Sequence, residues 1–242
     1  MKQIFDSLKK QSPSRIIALG FSAVILVGAV LLMMPFSLKK GVHLSFLNAL
    51  FTSTSAVCVT GLVVVDTADS FTAIGQAIVA ALIQIGGLGI ASVGVGFIIA
   101  AGKRVSIKSR LMVKEALNVD TYHGMVRLVR IVLAITLGFE AAGAIISFFV
   151  FRKDYSPLHA VGISIFHSIA AFNNAGFDNL GGMHNLIPYK DNILLNITTD
   201  VLVIVGGIGF LVLVDIVKQK SFKKLCLHSK VAISMTAVLL IG

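Results

Sequence analysis

Long apolar stretches at residues 15–36, 70–101, 125–151 and 193–217 set the rhythm of this chain. Each is near or above the ~20 apolar residues that a helix needs to cross the hydrocarbon of a bilayer. A further apolar stretch opens at 231 and runs to the last residue, 242. Between the members of each pair lies a shorter and more polar segment, 45–61 in the first half and 157–176 in the second, too short to cross. The pattern predicts an all-α membrane protein ordered as span, short helix, extended segment, span, twice over, with a third opening span behind. Ser45 before FLNALF and Ser156 before Pro157 are the predicted N-caps of the two short helices.

The two halves read as an internal repeat. A shift of 115 residues places Phe51 on Phe166, Ser53 on Ser168, Ala56 on Ala171 and Gly61 on Gly176. The following spans carry GGLG at Gly86–Gly89 and GGIG at Gly206–Gly209, at a shift of 120. The difference fits a longer outer loop, GFDNLGGMHNLIPYKDN, in the second half. The chain accordingly divides into a segment 1–14, a first repeat 15–101, a linker 102–124, a second repeat 125–217, a linker 218–230 and the start of a third repeat at 231–242.

Composition strengthens the membrane reading and charge orients it. Of the 242 residues 56% are hydrophobic and 13% charged, with a mean hydropathy of +0.93, against about 25% charged in soluble domains. Sixteen of the 21 Lys and Arg fall before or within residues 2–15, 101–130 and 218–230, and five (Lys39, Lys40, Arg152, Lys153, Lys190) fall in the opposite loops. Positive residues gather on the cytoplasmic side, so the N terminus and both linkers are expected there. The net charge of +10 is then topological, and no nucleic-acid partner is expected, because the basic residues flank spans instead of clustering on a soluble face. MMPFSLKK after the first span offers no small-residue cleavage site, so that span is read as retained. Cys58 and Cys226 fall on opposite sides of this topology and cannot pair.

The short segments carry the candidate chemistry. Each short helix runs into a stretch ending in glycine, VCVTG and FNNAG. Irregular backbone at membrane depth is tolerated where protein buries it or where it lines a watery path. A half-crossing helix points its partially negative C-terminal end inward, where a cation is stabilised, and an extended run behind it offers carbonyl oxygens as ligands. Neither 57–62 nor 172–177 contains an acidic residue, which suits a monovalent cation held by backbone oxygen. Asp66, Asp69 and Asp178 lie further out, placed to concentrate cations at a mouth.

At TSTSAVCVTGL and SIAAFNNAGFDN, followed by QIGGLGI and VGGIGF, the sequence resembles the Trk/Ktr/HKT superfamily of potassium transporters along its whole length. The resemblance implies span, pore helix, span repeats of potassium-channel type arranged around a central pore, four of them in each subunit. Carried over, K⁺ would be held by the carbonyls of Val59, Thr60 and Gly61 and of Asn174, Ala175 and Gly176, with Cys58, Leu62, Asn173 and Phe177 flanking the filter. It further implies potassium uptake in a bacterial plasma membrane, dependent on Na⁺ in some members. A homodimer docked on a KtrA-like cytosolic ring is implied too, with the gating nucleotide on the ring and no cofactor in this chain. The chain ends just inside what would be the third repeat, so it is expected to be the N-terminal portion of a longer protein, not conducting alone.

Other readings compete with these. Gly86, Gly87, Gly89, Gly94 and Gly96 are expected to be packing devices, as small residues in membrane helices usually are. GGLGIASVGVG has no Gly-x-Gly-x-x-Gly register and lies in a span, so it is no nucleotide site. The hydroxyls of Thr52, Ser53, Thr54, Ser55 and Thr60 are expected to bond to backbone or across helices. His167, opposite Thr52 in the repeat, is read as a structural hydrogen-bonding residue, and no enzymatic activity is expected. Glu140 and Asp200, ionisable inside spans, need protein or water around them. The alternatives to potassium uptake are another monovalent cation channel or symporter, or a membrane scaffold that lines no pore.

Overall fold

Ser12 and Pro13 begin the first helix: proline fills the first helical position, where its missing N–H costs nothing. The computed structural model describes residues 12–102, 104–116 and 124–241. Residues 1–11 of the expected N-terminal segment, and 103 and 117–123 of the first linker, lie outside the described residues.

Helix α1 is Pro13–Met33, and the short helix α2 is Phe46–Val57. One turn, α3, covers Thr67–Ser70, followed by α4 at Ala73–Leu88 and α5 at Ile90–Ala100. Helix α6 is Ile107–Ala116 and α7 is Met125–Phe151. The second short helix, α8, is Pro157–Phe172. Helices α9 at Ile193–Gly207, α10 at Phe210–Gln219 and α11 at Leu227–Ile241 complete the chain. The described residues hold no strand, and a single antiparallel bridge links Leu38 to Phe71. The fold is all-α, with the short helices placed between longer ones as the sequence predicts.

Two of the four expected spans are not continuous. Helices α4 and α5 meet at an angle of 104°, and α9 and α10 at 96°. The joints are Gly89, with φ +77°, and Gly209, with φ +97°. Only glycine occupies such backbone without a Cβ penalty, and a sharp bend in a helix requires a local cause of this kind. The packing role expected of Gly89 is therefore wrong: a Cβ there would meet nothing within 4 Å, and its backbone conformation is what matters. Gly94 likewise has open space around it, whereas Gly86 is in close contact with the Val57 carbonyl. Helices α1 and α7 are each long and apolar enough to cross a membrane by themselves, and each bent pair is so only as a pair.

The capping predictions divide. Ser45 accepts the Asn48 N–H at 3.2 Å and caps α2. Ser156 makes no side-chain cap bond, so α8 starts on Pro157 alone. Asp66, Thr72 and Asn192 cap α3, α4 and α9 through the N–H groups of Asp69, Gly75 and Leu195.

The chain divides into two units, one running up to Arg130 and including Ala175–Pro188, the other made of Ile131–Asn174 and the chain from Tyr189 on. In the first, α1 and α4 pack on α2 around Ala29, Leu32, Ala49, Val79 and Ile83, all fully buried. In the second, α9 packs on α8, with Ile163, Phe172, Leu195 and Leu202 buried. Large apolar side chains such as Leu47, Leu158 and Ile193 stay exposed on both units, as expected of helices solvated by lipid tails.

The repeat persists in individual bonds. Ser53 on α2 donates to the Ile25 carbonyl at 2.7 Å, and Ser168 on α8 donates to the Glu140 carbonyl at 2.7 Å. Gly28 lies against Ser53 and Leu82, and Gly143 lies against Ser168 and Leu202. Small residues let the helices approach, and the hydroxyl then bonds across the gap.

Candidate functional site

The residues after the two short helices share one backbone pattern. Past the end of α2, Val59 has φ +56° and Gly61 φ +73°. Past the end of α8, Asn174 has φ +58° and Gly176 φ +71°. Left-handed positions thus recur at the same two places in each run. Glycine adopts them freely and asparagine tolerates them, but a β-branched valine there is a true outlier. Strain of this kind costs about 1–3 kcal/mol and concentrates at functional positions.

In the first run the backbone is pinned from behind. The Thr60 N–H donates to the Ser55 carbonyl at 3.0 Å, while Ser55 Oγ donates to the Leu62 carbonyl at 2.8 Å and lies 2.8 Å from Thr60 Oγ1. Ser55 is buried, whereas Cys58, Thr60 and Leu62 are exposed. Ser53, Thr54, Ser55 and Thr60 use their hydroxyls as the sequence predicts, whereas Thr52 Oγ1 is buried and meets no hydrogen-bond partner among the described residues, against that expectation.

Ala175, Gly176 and Phe177 belong to the same unit as Gly61, and the two glycines face each other. A Cβ on Gly61 would stand 2.8 Å from the Ala175 carbonyl oxygen, and one on Gly176 would stand 3.2 Å from Gly61 Cα. Ala175 and Phe177 are buried and Gly176 is exposed. The sequence-predicted residues of both repeats are thus brought together at their glycines.

Asn173 and Asn174 belong to the other unit, where they are anchored by their amides. Asn173 is buried, and its Nδ2 donates to Glu140 Oε1 at 3.2 Å and to the Ile169 carbonyl at 2.9 Å. Asn174 Nδ2 donates to the carbonyls of Phe172 and Val203, each at 3.3 Å. Gly206 sits hard against the Phe172 carbonyl, as Gly86 does against that of Val57. Each short helix therefore ends with its last carbonyl against a glycine of the next long helix.

Glu140 resolves as a paired residue, buried and bonded to the amide that caps α8. Nothing in the sequence spacing links positions 140 and 173, so this partner was not legible beforehand. Replacing Glu140 by leucine should destabilise the protein by about 1–3 kcal/mol, because it removes a buried acceptor of the Asn173 amide. Glu140→Gln keeps an oxygen acceptor and should cost less, and thermal unfolding in detergent compares the two. His167 Nε2 lies 3.0 Å from Thr199 Oγ1, with its ring edge-on to Phe151, which matches the structural role expected of it. Asp200 is exposed on α9.

The outer acidic residues bond to backbone N–H groups. Asp66 accepts the Met183 N–H at 2.8 Å and Asp69 the Gly182 N–H at 3.1 Å, tying the long outer loop to α3. Asp178 accepts the Leu180 N–H at 3.0 Å. Burial pushes its pKa up, the Leu180 bond opposes that, and the nearby Asp66 charge adds to it. The folded state thus favours protonated Asp178, and its contribution to stability falls as pH rises through its raised pKa. Among the described residues no group of His, Cys, Asp and Glu is arranged to hold a metal ion.

A family model described as "TrkH: Cation transport protein" matches residues 8–239. The chain belongs to the TrkH family of cation transport proteins. It is 41% identical to the potassium/sodium uptake protein NtpJ of Enterococcus hirae over 97% of this chain and 51% of that protein. It is also 41% identical to the Ktr system potassium uptake protein B of Bacillus subtilis over 94% of this chain and 50% of that protein. The protein of that same name from Vibrio alginolyticus is 36% identical over 98% of this chain and 51% of its own length. The chain thus spans about half the length of the curated relatives it matches. The family is one of transport proteins and not of enzymes, and these relatives are bacterial, so the membrane and non-enzymatic readings hold, as does the family resemblance read from the sequence.

Proposed function

We propose that this chain supplies two strands of a carbonyl-lined potassium path, Val59–Gly61 and Asn174–Gly176, flanked by Cys58 and Leu62 and by Asn173 and Phe177. The carrying observation is the paired backbone pattern: left-handed residues at matching positions of both runs, each directly behind a short helix. Alternating backbone handedness turns successive carbonyls toward one side, the arrangement by which a filter replaces an ion's hydration shell. The C-terminal ends of α2 and α8 add partial negative charge beside the ion.

The repeats 15–101 and 125–217 are proposed as pore modules around a common axis. The N terminus and both linkers are proposed as cytoplasmic, which the lysine and arginine bias supports. The Ktr-system names of the relatives support a multi-subunit assembly, proposed as a homodimer on a KtrA-like nucleotide-binding ring. The name of the Enterococcus hirae relative supports an involvement of Na⁺.

The test is rescue of a potassium-uptake-deficient bacterium by the complete gene. Growth at limiting potassium, with K⁺ uptake that outcompetes excess Na⁺, is the expected result. A membrane-inserted product that gives no growth and no cation flux would leave the scaffold reading, and Na⁺ flux without K⁺ preference would leave another cation transporter.

A further inference from the structure

Three arginines converge where the first repeat ends. A cavity of about 460 Å³ lies between the end of α5, the segment that follows it, α6 and the start of α7, lined by Ile99, Gly102, Arg104, Val105, Arg110, Val126 and Arg130. Its volume falls in the range of small-ligand sites, roughly 300–1,000 Å³. No carboxylate lines it among the described residues. Glu115, on the same helix as Arg110, is engaged instead with the Ser14 hydroxyl at 2.8 Å.

Arg110 gives the cavity its chemical demand. Its Nε is buried and meets no hydrogen-bond partner among the described residues. A desolvated guanidinium N–H without an acceptor is costly, and three positive residues lining one cavity favour an anion within it. Arginine's planar fork matches phosphate oxygens in pairs. The apolar wall of Ile99, Val105 and Val126 continues from membrane helices, so a ligand with a charged head and an apolar body fits both sides of the cavity.

We propose that Arg104, Arg110 and Arg130 form a binding site for a phosphate-bearing anion, of the kind presented by the headgroup of an anionic phospholipid. Basic pockets between membrane helices on the cytoplasmic side take such headgroups, and the charge bias places this end of α5 and α7 on that side. The bound phosphate would hold α5, α6 and α7 together at the linker between repeats. The site shares no residue with the proposed ion path and does not depend on which cation moves.

The experiment measures binding and thermal unfolding of the purified full-length protein in mixed micelles of phosphatidylglycerol or phosphatidylcholine, with inorganic phosphate and ATP as soluble probes. Phosphatidylglycerol should be retained and raise the unfolding temperature, and phosphatidylcholine should do neither. Each arginine-to-glutamine change should weaken binding about fivefold, from ~1 kcal/mol per basic residue near a charged surface. Arg104→Gln with Arg130→Gln, both exposed, should therefore lose roughly twenty-five-fold without loss of folding, which covers the case where Arg110→Gln fails to fold. Displacement of the lipid by millimolar phosphate or ATP would support the same site with a soluble phosphate as its ligand. Equal binding of both lipids with no effect of either soluble probe, undiminished binding by the double variant, or loss of ring docking alone in that variant would overturn the proposal.

Discussion

Gly206→Ala is expected to destabilise the protein by several kcal/mol, with Gly86→Ala close behind. A Cβ at position 206 would overlap the Phe172 carbonyl, and one at 86 would overlap that of Val57. Both obstacles are backbone at the end of a helix, so no side-chain rotation relieves them. Overpacking a well-fitted interior usually costs about 1–3 kcal/mol, and a backbone clash belongs at or beyond the upper end. The damage at 206 would also spread, because Asn174 Nδ2 bonds to that same Phe172 carbonyl and to Val203 on α9. Gly94→Ala and Gly162→Ala are the controls: both lie within helices with nothing within 4 Å of a new Cβ. There alanine should be neutral or stabilise by up to ~1 kcal/mol through helix propensity. Thermal unfolding of detergent-purified protein reads all four, and if Gly206→Ala unfolds alongside Gly162→Ala the close approach of α9 to α8 is refuted.

The sequence made the repeat legible because the same contacts are built twice. Four matching residues at a shift of 115 proved to mark a conserved geometry, in which Ser53 reaches Ile25 and Ser168 reaches Glu140 at that same shift. The short helices were equally legible, since a polar segment too brief to cross must be held inside protein. The bends at Gly89 and Gly209 were not. Helix packing and a chain reversal of handedness both call for glycine, so Gly89 of GGLG read as a packing residue when it is a joint, and its repeat partner Gly209 is a joint too. The length of 70–101 was the available signal: as one straight helix it would run ~48 Å, well beyond the ~30 Å hydrocarbon core. Within the candidate site, Gly61 and Gly176 could be named from the repeat, and the positive φ of Asn174 suits its side chain. Nothing in a valine announces the same backbone at position 59.

Gly61→Ala should reach the membrane yet lower K⁺ uptake about tenfold or more, or abolish preference for K⁺ over Na⁺. The residue has φ +73°, where an L side chain costs about 1–2 kcal/mol, and its Cβ would press to 2.8 Å from the Ala175 carbonyl oxygen. That oxygen is one of the proposed K⁺ ligands, so relief of the clash moves a ligand instead of a spectator. A displacement costing ~1.4 kcal/mol in ion binding already corresponds to a factor of ten. Gly176→Ala, at φ +71° and with its Cβ 3.2 Å from Gly61 Cα, meets a looser neighbour and should show the same defect in milder form. Uptake of K⁺ with and without competing Na⁺, at matched amounts of protein in the membrane, distinguishes a filter from a turn. A structural turn would lower the amount of protein while leaving flux per molecule and selectivity intact. Wild-type flux and selectivity in both variants would remove the two runs from the ion path.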